Sequence, residues 1–189
     1  MPSVEYDLGY MDAAVDLLER YLLSRQIYWK MIASAPTGDP PYPSLTLGGL
    51  LLALARTRAR QLNPKQTQQF TQLVGEIDIV RSKWRTAWEN KAQDEYRSRL
   101  NLWRDFLEEF RQEPEDNADR YHYEVGRRVM LHLLDGETRG IPPAEQQMLA
   151  GLDNILSGLL VPGEFIWGKE LAAGFSRDEF PYLYGTLKR

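Results

Sequence analysis

The sequence predicts an all-α fold, a helical bundle of about five main helices built around one long helix. Apolar residues recur at steps of three and four through most of the 189 residues, as on one face of a helix. Prolines and glycines, which interrupt helices, cluster in a few short stretches, and no alternating strand pattern appears. We therefore expect a single helical domain over 1–189. Its bundle would occupy 1–160, and an aromatic-rich irregular segment over 161–189 would pack on it.

The first predicted helix ends at a proline-rich loop. Asp7 can cap this helix, because its carboxylate can accept a hydrogen bond from a free backbone N–H group. The apolar stripe that follows continues to Ile32. Four prolines between positions 36 and 43 then exclude any continuous helix.

A second helix is predicted over roughly 45–62, with Ser44 as its cap. Its first half is apolar on all sides, which is typical of a helix buried between others. Gly48 and Gly49 lower helix stability, so we expect them to allow the close approach of another backbone.

The third predicted helix, over 64–112, is much longer than the others. Asn63 and Pro64 form a strong start signal, an Asn cap followed by proline at the first helical position. At 1.5 Å per residue this helix would be about 70 Å long, whereas a compact globule of this size is only about 40 Å across. The helix must therefore bend, with Gly75 and Ala92 as the weak points, or project and recruit a partner.

Two further helices complete the predicted bundle. The fourth begins at Pro114 and runs to about Asp135, and the fifth opens at Pro143 and stops before Pro162. We expect the first helix to lie along one part of the long helix and the fourth along another. The second and fifth helices would then fill the middle.

No chemical site is evident in the sequence. The chain has no cysteine, which excludes disulfides and thiolate metal sites. Its two histidines, His122 and His132, lie ten residues apart on one helix and cannot share a metal ion. The stretch 163–169 has P-loop glycine and lysine spacing but lacks the following Ser or Thr and a preceding strand. We therefore expect no metal and no cofactor, and the missing catalytic constellation argues against an enzyme.

No membrane span is expected either. The most apolar run, 45–55, is about half of the ~20 residues that a spanning helix needs. The N-terminus has no secretory signal pattern, and the absence of cysteine fits a reducing compartment. These observations favour a cytoplasmic protein.

Positive charge is concentrated in one stretch, although the net charge is −4. Eleven basic and five acidic residues lie between Leu54 and Arg104. A nucleic-acid-associated protein could use this basic stretch, 56–104, but the overall negative charge argues against that function. The alternative, which we favour, is a solvated helix face whose charges pair with neighbours. The candidate basic patch comprises Arg56, Arg58, Arg60, Arg81, Lys83 and Arg85.

Aromatic residues on the long helix provide the best functional lead. They are Trp84, Trp88, Tyr96 and Trp103. A helix longer than its globule has surplus apolar face, which the C-terminal segment, a second copy or another protein must cover. The leading hypothesis is therefore a non-enzymatic interaction protein (a scaffold, adaptor or assembly factor) that acts through helix-face association with a protein partner or as a homo-oligomer.

A second hypothesis is a helical bundle that binds a small molecule in an aromatic-lined pocket between its helices. The candidate pocket residues are Tyr28, Trp29 and His122. A cavity with a convergent polar group would favour this hypothesis, and a solid core would remove it.

Overall fold

The computed structural model describes residues 2–188 and confirms the predicted all-α fold class. Short 3₁₀ turns occur at Ala118–Arg120, Lys169–Gly174 and Pro181–Leu183. The helices are α1 (Val4–Leu23), α2 (Leu47–Ala59), α3 (Pro64–Lys83), α4 (Arg85–Gln112), α5 (Pro114–Asn117), α6 (Tyr121–Asp135) and α7 (Pro143–Leu159). Two strands, β1 (Leu160–Phe165) and β2 (Tyr184–Leu187), form a small sheet.

The start and end of α1 both differ from the prediction. Ser3 is the cap, and its Oγ accepts a hydrogen bond from the backbone N–H of Tyr6 at 3.0 Å. Asp7 lies inside the helix and is fully buried, because it binds Arg56 of α2 and Arg60 at the end of α2 instead of capping α1. The helix stops at Leu23, well before Ile32. Beyond it, Trp29 forms an antiparallel bridge with Leu45.

Thr46, not Ser44, caps α2, and its Oγ1 accepts from the N–H of Gly49 at 3.0 Å. The prediction that a backbone approaches the two glycines is wrong, because side chains occupy that space. A Cβ on Gly48 would lie 2.7 Å from Oε1 of Glu95, and one on Gly49 would lie 2.9 Å from the Tyr10 hydroxyl.

The long helix breaks at Trp84, and neither Gly75 nor Ala92 is the bend. Trp84 has φ −115° and ψ 36°, outside helical values, and α3 ends and α4 begins on either side of it. Helical hydrogen bonds continue across the break, from Trp84 N to Val80 O and from Trp88 N to Trp84 O, each 2.9 Å. The break separates two packing environments, since α3 contacts α1 whereas α4 contacts α6. As predicted, the first helix lies along one part of the long helical stretch, and α6, which belongs to the fourth predicted helix, lies along the other part.

The middle of the bundle is filled by α2, which contacts α1, α4, α6 and the turn Lys169–Gly174. The fifth predicted helix, α7, does not fill it. Its buried residues are Leu152 and Leu156, and it packs on α4. The C-terminal turn takes the space instead, so closely that a Cβ on Gly174 would lie 2.4 Å from the Cβ of Ala59.

The C-terminal segment contains strands that the sequence pattern did not predict. Strands β1 and β2 pair antiparallel, with Leu160 opposite Leu187 and Pro162 opposite Gly185. Gly185 permits this pairing, because a Cβ there would lie 2.3 Å from the Val161 carbonyl oxygen. Aromatic rings attach the segment to the bundle. The rings of Trp167, Phe175, Phe180 and Tyr182 are buried.

Among residues 2–188, no helix is long and apolar enough to cross a membrane.

Candidate functional site: a tyrosine-lined cleft

The aromatic residues predicted as an interaction face are mostly inside the folded chain. Trp88, Tyr96 and Trp103 are at most 2% exposed, and Trp84 is half-buried. Trp88, Tyr96 and Trp103 cannot form a contact surface for a partner, because the chain itself covers them. The long helix does not project from the globule, since the break at Trp84 lets its two parts pack against different neighbours.

The predicted basic patch is divided among separate ion pairs. Arg56 and Arg60 both bind Asp7, with Nη1 of Arg60 2.7 Å from the carboxylate. Arg58 is exposed on the same helix. On the long helix, Arg81 pairs with Glu137, Lys83 with Glu19 and Arg85 with Glu89. Carboxylates thus offset most of the positive charge of the candidate patch.

The three residues predicted to line one pocket do not come together. Tyr28 is partly exposed and lines a cleft near the N-terminus. Trp29 is half-buried and pairs with Leu45 through its backbone. His122 lies on α6, where its backbone carbonyl accepts a hydrogen bond from the Trp167 indole. Of the three, Tyr28 lines this cleft, whereas Trp29 and His122 do not.

The cleft beside Tyr28 is the best candidate site in the described chain. It is open to solvent, has a volume of about 380 Å³ and lies among α1, α2, α4, α6 and the loop 24–46. Apolar atoms dominate its walls. We call it the tyrosine cleft, and its principal lining residues are Tyr6, Tyr10, Tyr28, Arg56, Arg99 and Met130.

The first arginine of the tyrosine cleft, Arg56, is held by a buried carboxylate. Asp7 is 0% exposed and accepts from Nε of Arg56 at 3.1 Å and from Nη1 of Arg60 at 2.7 Å. Arg60 also donates to the Pro2 carbonyl at 2.6 Å. A buried carboxylate is tolerated when it is paired and hydrogen-bonded in this way. Arg60 also lies 4.0 Å from a carboxylate oxygen of Glu170, which is half-exposed.

The second arginine, Arg99, is held in a similar way by α4 and the start of α2. Glu95 is 0% exposed and accepts from Nε of Arg99 at 2.6 Å and from the Gly48 backbone N–H at 3.0 Å. Nη2 of Arg99 donates to Oγ1 of Thr46 at 2.9 Å. The carboxylate lies near the N-terminus of α2, where the helix dipole favours negative charge. Among residues 2–188, Nη1 of Arg56 and Nη1 of Arg99 make no hydrogen bond, so both retain donors for a ligand.

The hydroxyls of Tyr6 and Tyr10 are neutral at ordinary pH. Burial raises the pKa of Tyr6 and Tyr10 above the ordinary phenol value of 10. Their hydroxyls make long hydrogen bonds of 3.4 Å to the carbonyls of Pro41 and Ser44. Such weak bonds can be exchanged for shorter ones to a ligand. The phenols therefore offer hydrogen-bond donors without adding charge.

One wall of the cleft is the loop 24–46, which is long for a segment without regular helix or strand. It is nevertheless fixed at several points. Nζ of Lys91 donates to the carbonyls of Ser24 and Gln26 at 2.7 and 2.9 Å. The Tyr21 hydroxyl donates to the Ile27 carbonyl at 3.0 Å. The loop therefore forms a defined wall rather than a loose cover.

Sequence reasoning missed the charged residues of this site, although a signal was present. Glu95 and Arg99 occupy positions of the α4 stripe between Ala92 and Trp103, where apolar residues are expected. Asp7 similarly interrupts the apolar face of α1. Charged residues on a buried helical face are paired or functional, and this pattern could have identified the site.

Within residues 2–188, no group of three or more His, Cys, Asp or Glu side chains could hold a metal ion. The two carboxylates nearest the cleft, Asp7 and Glu95, are already bound by arginines.

Comparison of the chain with protein-family models, with curated proteins and with solved structures finds no significant match.

Proposed function

We propose that this protein binds a small amphipathic anion in the tyrosine cleft. The ligand would combine an aromatic or aliphatic body with a carboxylate or comparable anionic group. One observation carries the proposal, namely the convergence of apolar tyrosine walls and the two guanidinium groups of Arg56 and Arg99 on one open cleft. Its volume of about 380 Å³ lies within the ~300–1,000 Å³ that is usual for small-molecule pockets.

The charges around the cleft favour an anion over a cation. Arg56 and Arg99 line it, whereas their carboxylate partners Asp7 and Glu95 are fully buried beneath. A ligand therefore meets guanidinium and phenol N–H and O–H donors before it meets either of these two carboxylates. Guanidinium groups also match the planar geometry of a carboxylate.

The cleft is organised before a ligand arrives. Both guanidinium groups are fixed by hydrogen bonds to buried carboxylates, so binding would require little further loss of side-chain freedom. The rings of Tyr6 and Tyr10 are fixed by edge contacts with Tyr42, at centroid distances of 4.9 and 5.7 Å. This rigidity supports recognition of a defined shape.

The other hypotheses from the sequence stay predictions. Helix-face association loses its motivating observation, because the aromatic face of α4 is buried. Nucleic-acid binding gains no support from basic residues that are largely paired. An interaction partner, a homo-oligomer and a cytoplasmic location remain expectations that light scattering and cell fractionation can check.

The proposal can be tested with 4-phenylbutyrate as the probe and its neutral amide as the comparison. We expect 4-phenylbutyrate to bind in a saturable way, and backbone ¹⁵N amide shifts can monitor this binding. Its affinity should be roughly tenfold or more above that of its neutral amide. A difference of that size corresponds to the ~1.5–3 kcal/mol of a hydrogen bond to a charged group. The shifts should be concentrated in α1, the start of α2 and the loop 24–46.

A cleft-filling variant locates the binding. Ser44→Phe puts a bulky ring at the cleft wall and should abolish binding without loss of thermal stability, because Ser44 is exposed. Ser34→Phe is the matched control, an exposed serine of the same loop that does not line the cleft. Equal affinity for carboxylate and amide, or equal binding to both variants, would contradict the proposal.

A further inference from the structure

A second cavity lies between α6, α7 and the C-terminal segment. Its volume is about 310 Å³. Leu156, Leu160 and Pro181 give it an apolar side. We call it the C-terminal cavity, and its polar lining residues are Arg128, Asp153, Ser157, Asp178, Glu179 and Tyr182.

The polar side of the C-terminal cavity is acidic. Arg128 is committed to Asp153 through two hydrogen bonds of 2.8 Å each, so these two charges offset one another. Asp178 and Glu179 remain as excess negative charge at the cavity. One oxygen of Glu179 also lies 3.1 Å from Nε2 of His132. The field in this cavity thus favours a cation, in contrast to the tyrosine cleft.

An unsatisfied hydroxyl provides the second, independent observation. Tyr182 lines the cavity and is only 5% exposed. Its hydroxyl is shielded from bulk water and has no hydrogen-bond partner among residues 2–188. The rest of the residue is well fixed, with its carbonyl bound by the Tyr121 hydroxyl at 2.5 Å and its ring covered by the Arg128 guanidinium at 4.6 Å.

Buried polar groups in native proteins are nearly always hydrogen-bonded, so a free one beside a cavity indicates a missing partner. Burial raises the pKa of Tyr182, which keeps the phenol neutral. A neutral phenol oxygen can accept a hydrogen bond from a cationic donor, and the neighbouring carboxylates would stabilise that donor's charge.

We infer that the C-terminal cavity binds the primary ammonium group of a short aliphatic amine. The ammonium group would donate to the Tyr182 hydroxyl and face the carboxylates of Asp178 and Glu179. The methylene chain would lie on the apolar side formed by Leu156, Leu160 and Pro181. A compact ammonium suits this cavity better than an anion, which the carboxylates would repel. The inference does not depend on the function proposed for the tyrosine cleft.

The test uses the full chain and 1,5-diaminopentane, with 1-pentanol as a neutral probe of similar length. Calorimetry should give saturable 1:1 binding of the diamine, and ¹⁵N amide shifts should be confined to residues 156–160 and 178–182. Tyr182→Phe keeps the ring and removes the hydroxyl. It should weaken the diamine roughly tenfold or more, as expected for a hydrogen bond to a charged group. The unliganded variant should be at least as thermally stable as the parent, because an unsatisfied buried group has been removed.

Charge variants complete the design. Asp178→Asn and Glu179→Gln should each weaken the diamine, whereas Glu115→Gln, an exposed acid outside the cavity, should not. Equal weakening by Glu115→Gln would reduce the effect to net charge and overturn the proposal. So would the absence of saturable binding, equal binding of 1-pentanol, or a Tyr182→Phe protein of much lower thermal stability. The last result would mean that the hydroxyl already has a partner within the fold.

Discussion

The two parts of the long helical stretch, α3 and α4, have similar patterns in the sequence but different roles in the fold. In α3 the buried residues are Leu73 and Ile77, and most of its surface faces solvent. In α4 eleven residues are buried, and three of them carry charges: Lys91, Glu95 and Arg99. A regular apolar stripe therefore identifies a helix but does not say how deeply the helix is buried. The depth depends on its neighbours, and α4 packs against α1, α2, α6 and α7 as well as the two helices that adjoin it in the chain.

The largest expected difference in stability between α4 and α3 variants concerns one cation on each helix that pairs with a glutamate. Arg99→Met leaves the buried carboxylate of Glu95 without its guanidinium partner. We expect the free energy of unfolding to fall by about 3–5 kcal/mol, the usual cost of breaking a buried ion pair. Lys83→Met is the matched change in α3. Its pair with Glu19 is exposed, so the loss should be about 0–1 kcal/mol. Urea denaturation measures both, and similar losses would contradict the contrast.

Truncation of an apolar side chain should also lower stability more in α4 than in α3. Leu100→Ala removes a side chain of α4 that is 1% exposed, and the resulting cavity should cost about 2–5 kcal/mol. Ile79→Ala in α3 changes a residue that is 68% exposed and should stay within about 0.5 kcal/mol. A large loss for Ile79→Ala in dilute solution would indicate that a partner or second copy covers α3.

A smaller effect of opposite sign is expected at Gly75 of α3. The space around it is open among the described residues, so an added methyl group meets nothing. Alanine is favoured over glycine inside helices by about 0.5–1 kcal/mol. Gly75→Ala should therefore raise the thermal midpoint slightly. A lowered midpoint would mean that the glycine has a conformational role at this position.

The pH dependence of stability tests the ion pairs of Glu89 in α4, where the smallest effect is expected. Hydrogen bonds from Arg139 and Arg85 lower the pKa of Glu89 below its ordinary value of 4.5. Since the folded pKa is the lower one, the stabilisation is fully present above pH 4.5 and is lost as the pH falls through the folded value. The stability difference between the parent and Glu89→Gln should therefore shrink below pH 4.5. Glu76→Gln in α3 serves as the control, and an unchanged difference for Glu89→Gln would contradict the assignment.

The sequence predicts elements whose signals are local. Asn63 and Pro64 start α3 as expected, with the Asn63 side chain bound by the Gln66 N–H at 2.9 Å. Pro143 likewise begins α7. The break at Trp84 has no local signal, because neither proline nor glycine stands there. It follows from a change of packing partner, which only the tertiary structure determines.

Most of the candidate site could not be predicted from the sequence, because it too depends on tertiary contacts. The bond between Gly48 and Glu95 joins residues 47 positions apart, and that between Arg60 and Asp7 joins residues 53 apart. Composition and periodicity place each residue on its helix, but neither gives the pairing. Tyr28 was identified as a pocket residue, whereas Arg99, which α4 supplies to the tyrosine cleft, was not.

The most direct test of the tyrosine cleft uses the methionine methyl groups as reporters. Met130 lines the cleft, whereas Met148 lies on α7 outside it and is 37% exposed. In a chain labelled with ¹³C-methyl methionine, 4-phenylbutyrate should shift the Met130 resonance in a saturable way. It should also give intermolecular NOEs to that methyl group and leave Met148 unchanged. An unchanged Met130 resonance, or equal shifts at Met148, would contradict ligand binding in the tyrosine cleft.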